Sequence, residues 1–204
     1  MAINYEKLLA LKIPDAEHTY TDKDTMLYAL GVGLGHDPLD LKQLDFVYEK
    51  NLKALSTFAA VLGYPGFWVR DLDTGIDWLK IVNGEQGVVL HQPVKPAGTV
   101  IGRTRIVEVI DKGAGKGALA YTERKVTDKA SGALIATVTQ TTFCRADGDQ
   151  FERAALAQIT QRDAGCLGAG AAAERRFLFW ALAELPAPFE QFVRVELPAL
   201  VDAE

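Results

Sequence analysis

The stretch TVIGRTRIVEVIDKGAGKGALAYTERKVTDKASGALIATVTQTTFCRA, residues 99–146, decides the fold of this chain. It contains three runs rich in Val, Ile, Thr and Tyr, which is typical of β-strands, and these runs are separated by turn compositions, "DKGAGKG" and "DKASG". A similar run, "QGVVLHQPV" (86–94), precedes them and is set apart by "KPAG". The pattern predicts three or four antiparallel strands in a meander.

The segment before the strands is helical in pattern. "LKALSTFAAVLG" (52–63) predicts a compact helix that is apolar on nearly all sides and ends at Gly63 and Pro65. Because it has so little polar surface, this helix is expected to be buried. A sheet wrapped around one buried helix is an α+β architecture.

Two further elements are predicted nearer the N-terminus. Thr21, with Asp24 three residues later, indicates a helix start, and Gly33 and Gly35 supply its stop. "DFVYE" (45–49) is a short strand candidate.

Length and composition limit the class of protein. The 204 residues leave room for one good-sized core, or for a domain of about 150 residues with an appendage. The net charge is −5 and no run of Lys or Arg exceeds two, which argues against a nucleic-acid partner. No secretory signal is visible, and the apolar run at 177–183 is far shorter than a membrane span. Cys144 and Cys166 are expected to be free thiols in a cytoplasmic protein without a membrane partner.

A domain boundary is predicted near 148–150, where the composition changes. Residues 1–148 then form one domain, and 149–204 form a tail of unknown role. The tail contains a Gly/Ala linker at 168–173 and a predicted helix around 174–184.

Candidate chemical motifs have plain structural alternatives. His36-Asp37 resembles an acid–base pair, but adjacent residues rarely aim at each other and Asp-Pro favours a turn. "DKGAGKGA" (111–118) lacks the spacing of a phosphate loop and is predicted to be a hairpin turn. "NGEQ" (83–86) either lines a ligand pocket or forms a turn, and Asn-Gly favours the turn.

The remaining polar residues also give little indication of a catalytic or metal site. The three histidines have no metal-ligand spacing, so no metal site is expected. Cys144 lies in a strand pattern and is predicted to be a small buried residue. The basic residues of the strands either face solvent or meet ligand phosphates, and the sequence slightly favours solvent; they are Arg103, Arg105, Arg124, Lys125 and Arg145.

Several of these stretches together resemble one family. They are "YTDKDTMLYALGVGLGHDPLDLKQLDFVYE", "STFAAVLG", "KIVNGEQGVVLHQPVKPAGTV", "DKGAGKGALAYTERKVTD" and "FCRADG". Over about residues 4–148 the chain resembles the N-terminal half of MaoC-like (R)-specific enoyl-CoA hydratases. The resemblance implies a hot-dog fold, in which an antiparallel sheet wraps around a central helix, here 52–63.

The resemblance also implies which half of the family's machinery is present. In the family the catalytic Asp and His lie in a G-D-x-N-P-x-H motif of a second hot dog, while the first half makes room for the acyl chain. Residues 149–204 contain no such motif and no His, and Asn83 stands where the family usually has His. No catalytic residue is therefore assigned, and the isolated chain is expected to be inactive.

The resemblance leaves three functions to weigh. The first is a hydratase/dehydratase subunit for trans-2-enoyl-CoA and (3R)-3-hydroxyacyl-CoA that needs a catalytic hot-dog partner. The second is a non-catalytic acyl-CoA-binding or interaction subunit. A thioesterase ranks last, because 52–63 contains no Asp or Glu.

The resemblance further implies an acyl-CoA ligand, no cofactor, and a homodimer or heterodimer. The acyl pocket is predicted around the central helix and its flanks, although each of these residues serves equally well in a core. The predicted residues are Phe58, Val61, Leu62 and Trp78.

Overall fold

A computed structural model describes residues 4–37 and 39–148 in full, together with the backbone of two later strands. The helices are α1 (Tyr5–Leu9), α2 (Asp22–Gly31), α3 (Leu44–Val47), α4 (Trp68–Asp71) and three 3-10 turns at Leu41–Gln43, Ser56–Ala60 and Trp78–Lys80. The strands are β1 (Ala16–Tyr20), β2 (Ile81–Leu90), β3 (Gly98–Asp111), β4 (Ala118–Asp128), β5 (Leu134–Cys144), β6 (Phe177–Leu178) and β7 (Phe192–Glu196). No helix in the described ranges is long and apolar enough to cross a membrane.

The strands form a single sheet in the order β1-β3-β4-β5-β2-β7-β6. The predicted meander is confirmed for β3, β4 and β5, which pair antiparallel in succession. Strand β2 joins the far side of β5, also antiparallel, and β7 runs parallel to β2. Short helices and a mainly antiparallel sheet make this the α+β architecture that the sequence predicts.

The turn between β3 and β4 is a hairpin loop, as predicted for 111–118. The amide of Lys112 donates to the carbonyl of Gly117 at 3.0 Å, and that of Lys116 donates to Gly113 at 3.0 Å. Gly113 and Gly117 have positive φ, which only glycine adopts easily.

The predicted start of α2 is confirmed. Thr21 and Asp24 form a capping box, in which the backbone amide of Thr21 donates to the Asp24 carboxylate at 2.8 Å. Gly33 and Gly35, both at positive φ, follow the last helical residue. The buried face of α2 is Thr25 and Ala29, whereas Leu27 and Leu30 are exposed.

The predicted helix over 52–63 is wrong in its length, and its predicted burial is confirmed at some positions only. Only Ser56–Ala60 is helical, as a 3-10 turn, and Phe58, Ala59 and Leu62 are buried. The carbonyl of Ala60, which would continue an α-helix, instead accepts a hydrogen bond from the Arg124 guanidinium. A distant strand thus supplies the partner that a longer helix would have supplied locally.

Three smaller predictions also differ from the structure. Residues 45–49 are not a strand, because Leu44–Val47 forms a helical turn that continues the 3-10 turn capped by Asp40. Residues 83–86 are not a turn, because they lie within β2, where they pair with β5. Phe177–Leu178 is a strand paired with β7 rather than part of a helix, and the rest of 174–184 and Cys166 lie outside the described residues.

The inner face of the sheet carries two hydrophobic clusters. One gathers around Phe58 and Leu62, and packs on Val88, Val126 and Val138. The other, beyond the middle of the strands, consists of Leu8, Ile13, Trp68, Val69, Ile76, Ile106, Val109, Ala118, Ala120 and Cys144. The strip of sheet between the two clusters is polar, and it positions the candidate site.

Candidate functional site

A polar belt crosses the inner face of the sheet between the two hydrophobic clusters. It consists of Asn83, Thr104, Thr122, Arg124, Gln140 and Thr142. The strand register brings these residues together: Thr104 lies opposite Arg124, Thr122 opposite Gln140, and Asn83 opposite Thr142. Side chains of alternate residues point to one face of a strand, so the belt faces inward like the apolar residues that flank it.

A cavity of about 190 Å³ lies against this belt. Four belt residues form its polar wall: Asn83, Thr122, Gln140 and Thr142. The loop and helix at 64–69 supply an aromatic wall, and β2 adds two aliphatic side chains; these residues are Tyr64, Phe67, Trp68, Val69, Ile81 and Val82. An aromatic wall facing a few placed polar groups is the usual make-up of a small-molecule pocket.

The aromatic wall is held on the sheet by a contact between two glycines. Modelling a Cβ on Gly102 of β3 would put it 1.9 Å from the carbonyl oxygen of Gly63, so the two backbones touch where neither has a side chain. The amide of Gly63 also donates to His18 Nδ1 at 3.3 Å. These contacts fix the residue before Tyr64 and hence the start of the wall.

The belt contains polar atoms with unused hydrogen-bonding capacity. Within the described ranges three buried side-chain atoms have no hydrogen-bond partner, and all three belong to the belt: Asn83 Oδ1, Thr104 Oγ1 and Arg124 Nε. A buried polar group without a partner costs about 1–3 kcal/mol. Such groups gathered beside a cavity are the feature expected of a site that bonds a ligand.

Arg124 is the most unusual member of the belt. Its side chain is only 4% exposed, and its guanidinium bonds the Ala60 carbonyl and lies 5.4 Å from the centre of the Tyr64 ring. Burial lowers the pKa of Arg124 to about 10, so it stays charged at neutral pH. The solvent-facing prediction is therefore wrong for Arg124, whereas Arg103, Arg105 and Lys125 are exposed as expected.

The cavity lining carries one titratable side chain, that of Tyr64. Its lining contains no His, Asp, Glu or Cys. His18 bonds Gly63, and His91 lies 2.9 Å from Thr137, while His36 is exposed. Across the described residues, no histidine is hydrogen-bonded to a carboxylate.

The motif His36-Asp37 forms a turn, as predicted. Asp37 is exposed, and its carboxylate accepts a hydrogen bond of 2.9 Å from the amide of Leu39. This is an Asx turn, in which the side-chain carboxylate accepts a hydrogen bond from a backbone amide two residues later.

The four residues predicted to line an acyl pocket are placed outside the cavity. Phe58 and Leu62 are buried in the first cluster, and Val61 is 44% exposed. Trp78 packs edge-to-face on Phe67 with ring centres 5.8 Å apart, so it touches the cavity wall from behind. Their role in substrate binding stays a prediction. Cys144 is fully buried as predicted, and burial raises its pKa to about 12.

A second depression, of about 490 Å³, lies near the start of β3 and the end of β4. Its charged groups are satisfied within the chain: Lys95 pairs with Asp128 at 3.2 Å, and Lys129 pairs with Glu17 at 2.6 Å. It has none of the unpartnered buried atoms that mark the first cavity.

Comparison with known proteins assigns the family. The profile of the MFE-2 hydratase 2 N-terminal domain matches residues 18–146. The chain belongs to this family. Enoyl-CoA hydratase 2, peroxisomal, of Arabidopsis thaliana is 30% identical over 157 residues, which cover 71% of this chain and 48% of that protein. 3-Hydroxyacyl-thioester dehydratase Y of Mycobacterium tuberculosis is 32% identical over 129 residues, which cover 63% and 44%.

Solved structures confirm the MaoC-like hot-dog fold. A MaoC-like dehydratase from Phytophthora capsici superposes with a TM-score of 0.58 at 26% identity, covering 74% of this chain and 53% of that one. The peroxisomal multifunctional enzyme type 2 of Drosophila melanogaster gives 0.52 at 28%, covering 69% and 24%. The chain spans about half the length of the curated relatives it matches.

The belt was only partly visible in the sequence. The sequence offers Asn83 as an alternative pocket residue and Arg124 as an alternative ligand contact, but it gives no such indication for Thr122, Gln140 or Thr142. A signal was present in β4, where Arg124 shares the alternating phase of Ala118, Ala120 and Val126. That phase marks an inward position for a residue type that normally faces water.

Proposed function

We propose that the chain is the acyl-accommodating half of a hydratase/dehydratase acting on trans-2-enoyl-CoA and (3R)-3-hydroxyacyl-CoA. The observation that carries this proposal is a cavity with aromatic and polar walls but no titratable acid or base other than one tyrosine. Addition of water to an enoyl thioester requires a general base and a polarised carbonyl. A second hot dog, in another chain or another part of a longer chain, supplies the acid–base pair.

The size of the cavity suggests a short acyl group. An apolar protein cavity of about 150 Å³ holds a ligand of benzene's size. A cavity of about 190 Å³ therefore suits an acyl segment of about six carbons. The free Asn83 Oδ1 is an acceptor suited to a hydroxyl group on that segment.

An exposed apolar region offers a surface for the catalytic partner. Seven of the thirteen large hydrophobic side chains that are exposed in the described residues lie between positions 27 and 48. They are Leu27, Leu30, Val32, Leu39, Leu41, Leu44 and Tyr48. Concentrated apolar exposure of this kind marks interaction surfaces. Light scattering is expected to show a homodimer of the purified chain or a heterodimer with the catalytic partner, and a monomer at micromolar concentration in both preparations would contradict this part of the proposal.

Hydration assays test the catalytic part. Crotonyl-CoA is incubated with the purified chain alone, with a separate hot-dog protein carrying G-D-x-N-P-x-H, and with both together. We expect no hydration by the chain alone and activity in the mixture that exceeds that of the partner alone. Turnover by the isolated chain at an enzyme's rate would refute the assignment of the reactive half.

Binding assays test the cavity. Thr142 is buried at the cavity wall, and Thr139 on the same strand is exposed on the other face, so Thr142→Leu and Thr139→Leu are a matched pair. Calorimetry with hexanoyl-CoA is expected to show affinity reduced at least tenfold by Thr142→Leu and unchanged by Thr139→Leu. Equal affinities in a folded Thr142→Leu variant would place the ligand elsewhere.

The second candidate is a subunit that binds acyl-CoA or a partner without taking part in turnover. The same absence of His, Asp and Glu from the cavity lining favours it. It predicts acyl-CoA binding with no gain of activity in any mixture, which separates it from the first candidate.

A further inference from the structure

Arg124 carries a buried positive charge that no carboxylate balances in the described part of the chain. Its contacts are a carbonyl oxygen, Ala60 O, and an aromatic face, Tyr64. Each attracts a cation, but neither bears a negative charge. A buried charge is normally paired, because removing an unpaired charge from water is strongly unfavourable. A further donor of the guanidinium, Nε–H, is buried and unused.

A second unused group lies beside Arg124. Thr104 is paired opposite Arg124 in the β3–β4 register, and its hydroxyl is also buried without a hydrogen-bond partner. Side chains of directly opposed strand residues lie about 5 Å apart at Cβ. The guanidinium N–H of Arg124 and the hydroxyl of Thr104 therefore belong to neighbouring positions on one face of the sheet, and the two oxygens of a carboxylate can each accept a hydrogen bond.

This pair of donors adjoins the cavity. Thr122, two residues before Arg124 on the same face of β4, lines the cavity, and that separation is about 7 Å along a strand. Tyr64, whose ring covers the guanidinium, lines the cavity as well. The Tyr64 ring therefore contacts both the cavity and Arg124. It is 48% exposed, which leaves it room to turn aside.

We infer that Arg124 and Thr104 bind a carboxylate at the far end of the acyl chain, so that the preferred ligand is an ω-carboxyacyl thioester. This inference rests on the proposed function, because it takes the cavity as the acyl site. The thioester end lies toward the cavity mouth, and the chain runs past Thr122 to the two donors. The anion balances the buried charge and satisfies both unused groups.

An isosteric pair of ligands tests the inference. Hexanoyl-CoA and adipoyl-CoA both carry six-carbon acyl groups and differ only in a terminal methyl or carboxylate. Calorimetry on the unmodified chain is expected to show adipoyl-CoA bound at least tenfold more tightly. Equal affinity, or a preference for hexanoyl-CoA, overturns the inference while leaving the proposed function intact. Failure to bind any acyl-CoA would instead refute the proposed function.

Matched variants assign the preference to Arg124. Arg124→Met is expected to abolish the preference for adipoyl-CoA, while Lys125→Met, an exposed change at the next position, is expected to keep it. Should Arg124→Met fail to fold, Thr104→Val replaces it, since this change removes one donor at nearly constant volume and is expected to reduce the preference several-fold. The inference is overturned if the preference survives in full in a folded Arg124→Met variant, or in Thr104→Val where Arg124→Met does not fold. If Arg124 instead pairs with a carboxylate of a partner protein, the chain alone shows no preference for adipoyl-CoA. That outcome also overturns the inference.

Discussion

The contact between Gly102 and Gly63 determines whether alanine at position 102 raises or lowers the free energy of unfolding. Alanine in place of a strand glycine normally stabilises a protein by about 0.5–1 kcal/mol, because glycine loses more entropy on folding. At Gly102 the new Cβ would lie 1.9 Å from Gly63 O and 2.8 Å from Gly63 Cα. Backbone atoms cannot rotate away, so the loop must retreat by about 1.5 Å to reach an ordinary contact of 3.4 Å.

Gly102→Ala is therefore expected to destabilise the chain. Forcing an extra carbon into a packed site costs about 1–3 kcal/mol, and a backbone obstacle places this case at about 2–3 kcal/mol. For a chain of this size each kcal/mol lowers the melting temperature by about 2–4 °C, so a fall of about 4–12 °C is expected. The displaced segment leads directly into Tyr64, the first residue of the aromatic wall of the cavity. The affinity for hexanoyl-CoA is therefore expected to fall as well.

Gly31→Ala is the control. It is the same chemical change at the end of α2, where a new Cβ meets nothing within 4 Å. Its stability is expected to stay level or to rise by up to about 1 kcal/mol. Urea and thermal unfolding of both variants measure the difference. If Gly102→Ala proves as stable as Gly31→Ala, the packing of the loop on β3 is not as described.

Three other changes have defined outcomes. Asn83→Leu removes an unpartnered buried acceptor, so it is expected to raise the free energy of unfolding by about 1 kcal/mol while weakening acyl-CoA binding; a less stable variant would contradict this. Hydrogen bonds from Ser131 and Lys95 lower the pKa of Asp128 to about 2 from 3.8. Its stabilising contribution is therefore present above pH 4 and lost as the pH falls toward 2, so Asp128→Asn should melt lower than wild type at pH 7 and lose less on acidification. In a Cys166→Ser background, the buried thiol of Cys144 should react with a thiol reagent only after unfolding, and prompt reaction in the native state would refute its burial.

The strands could be predicted because their signals are local. Alternating Val, Ile and Thr between glycine-rich turns predicts β3, β4 and β5, and the loop at 111–118 needs the positive φ of its glycines. The start of α2 is equally local, since Thr21 and Asp24 satisfy the first amides of the helix themselves. The α+β class follows from these elements.

The length of the segment at 56–60 could not be predicted in this way. Its apolar pattern predicts the burial of Phe58, Ala59 and Leu62, but it gives no sign that the Ala60 carbonyl bonds Arg124 of β4 rather than an amide of a longer helix. Likewise the position of Gly63 depends on Gly102, far along the chain. Such long-range contacts do not change the hydrophobic pattern of the segment whose structure they alter, so that pattern cannot predict them.

The sequence by itself determined β3, β4 and β5, the hairpin turn at 111–118, the start of α2 and the family, since strand preference, turn chemistry and motif order are properties of local sequence. Only the tertiary structure decided where the cavity lies. It placed β2 beside β5, which brought Asn83 to Thr142, and it buried Arg124 beneath Tyr64. The physical reason is that a binding site is made by strand register and by close packing between distant segments, and both arise only when the sheet forms.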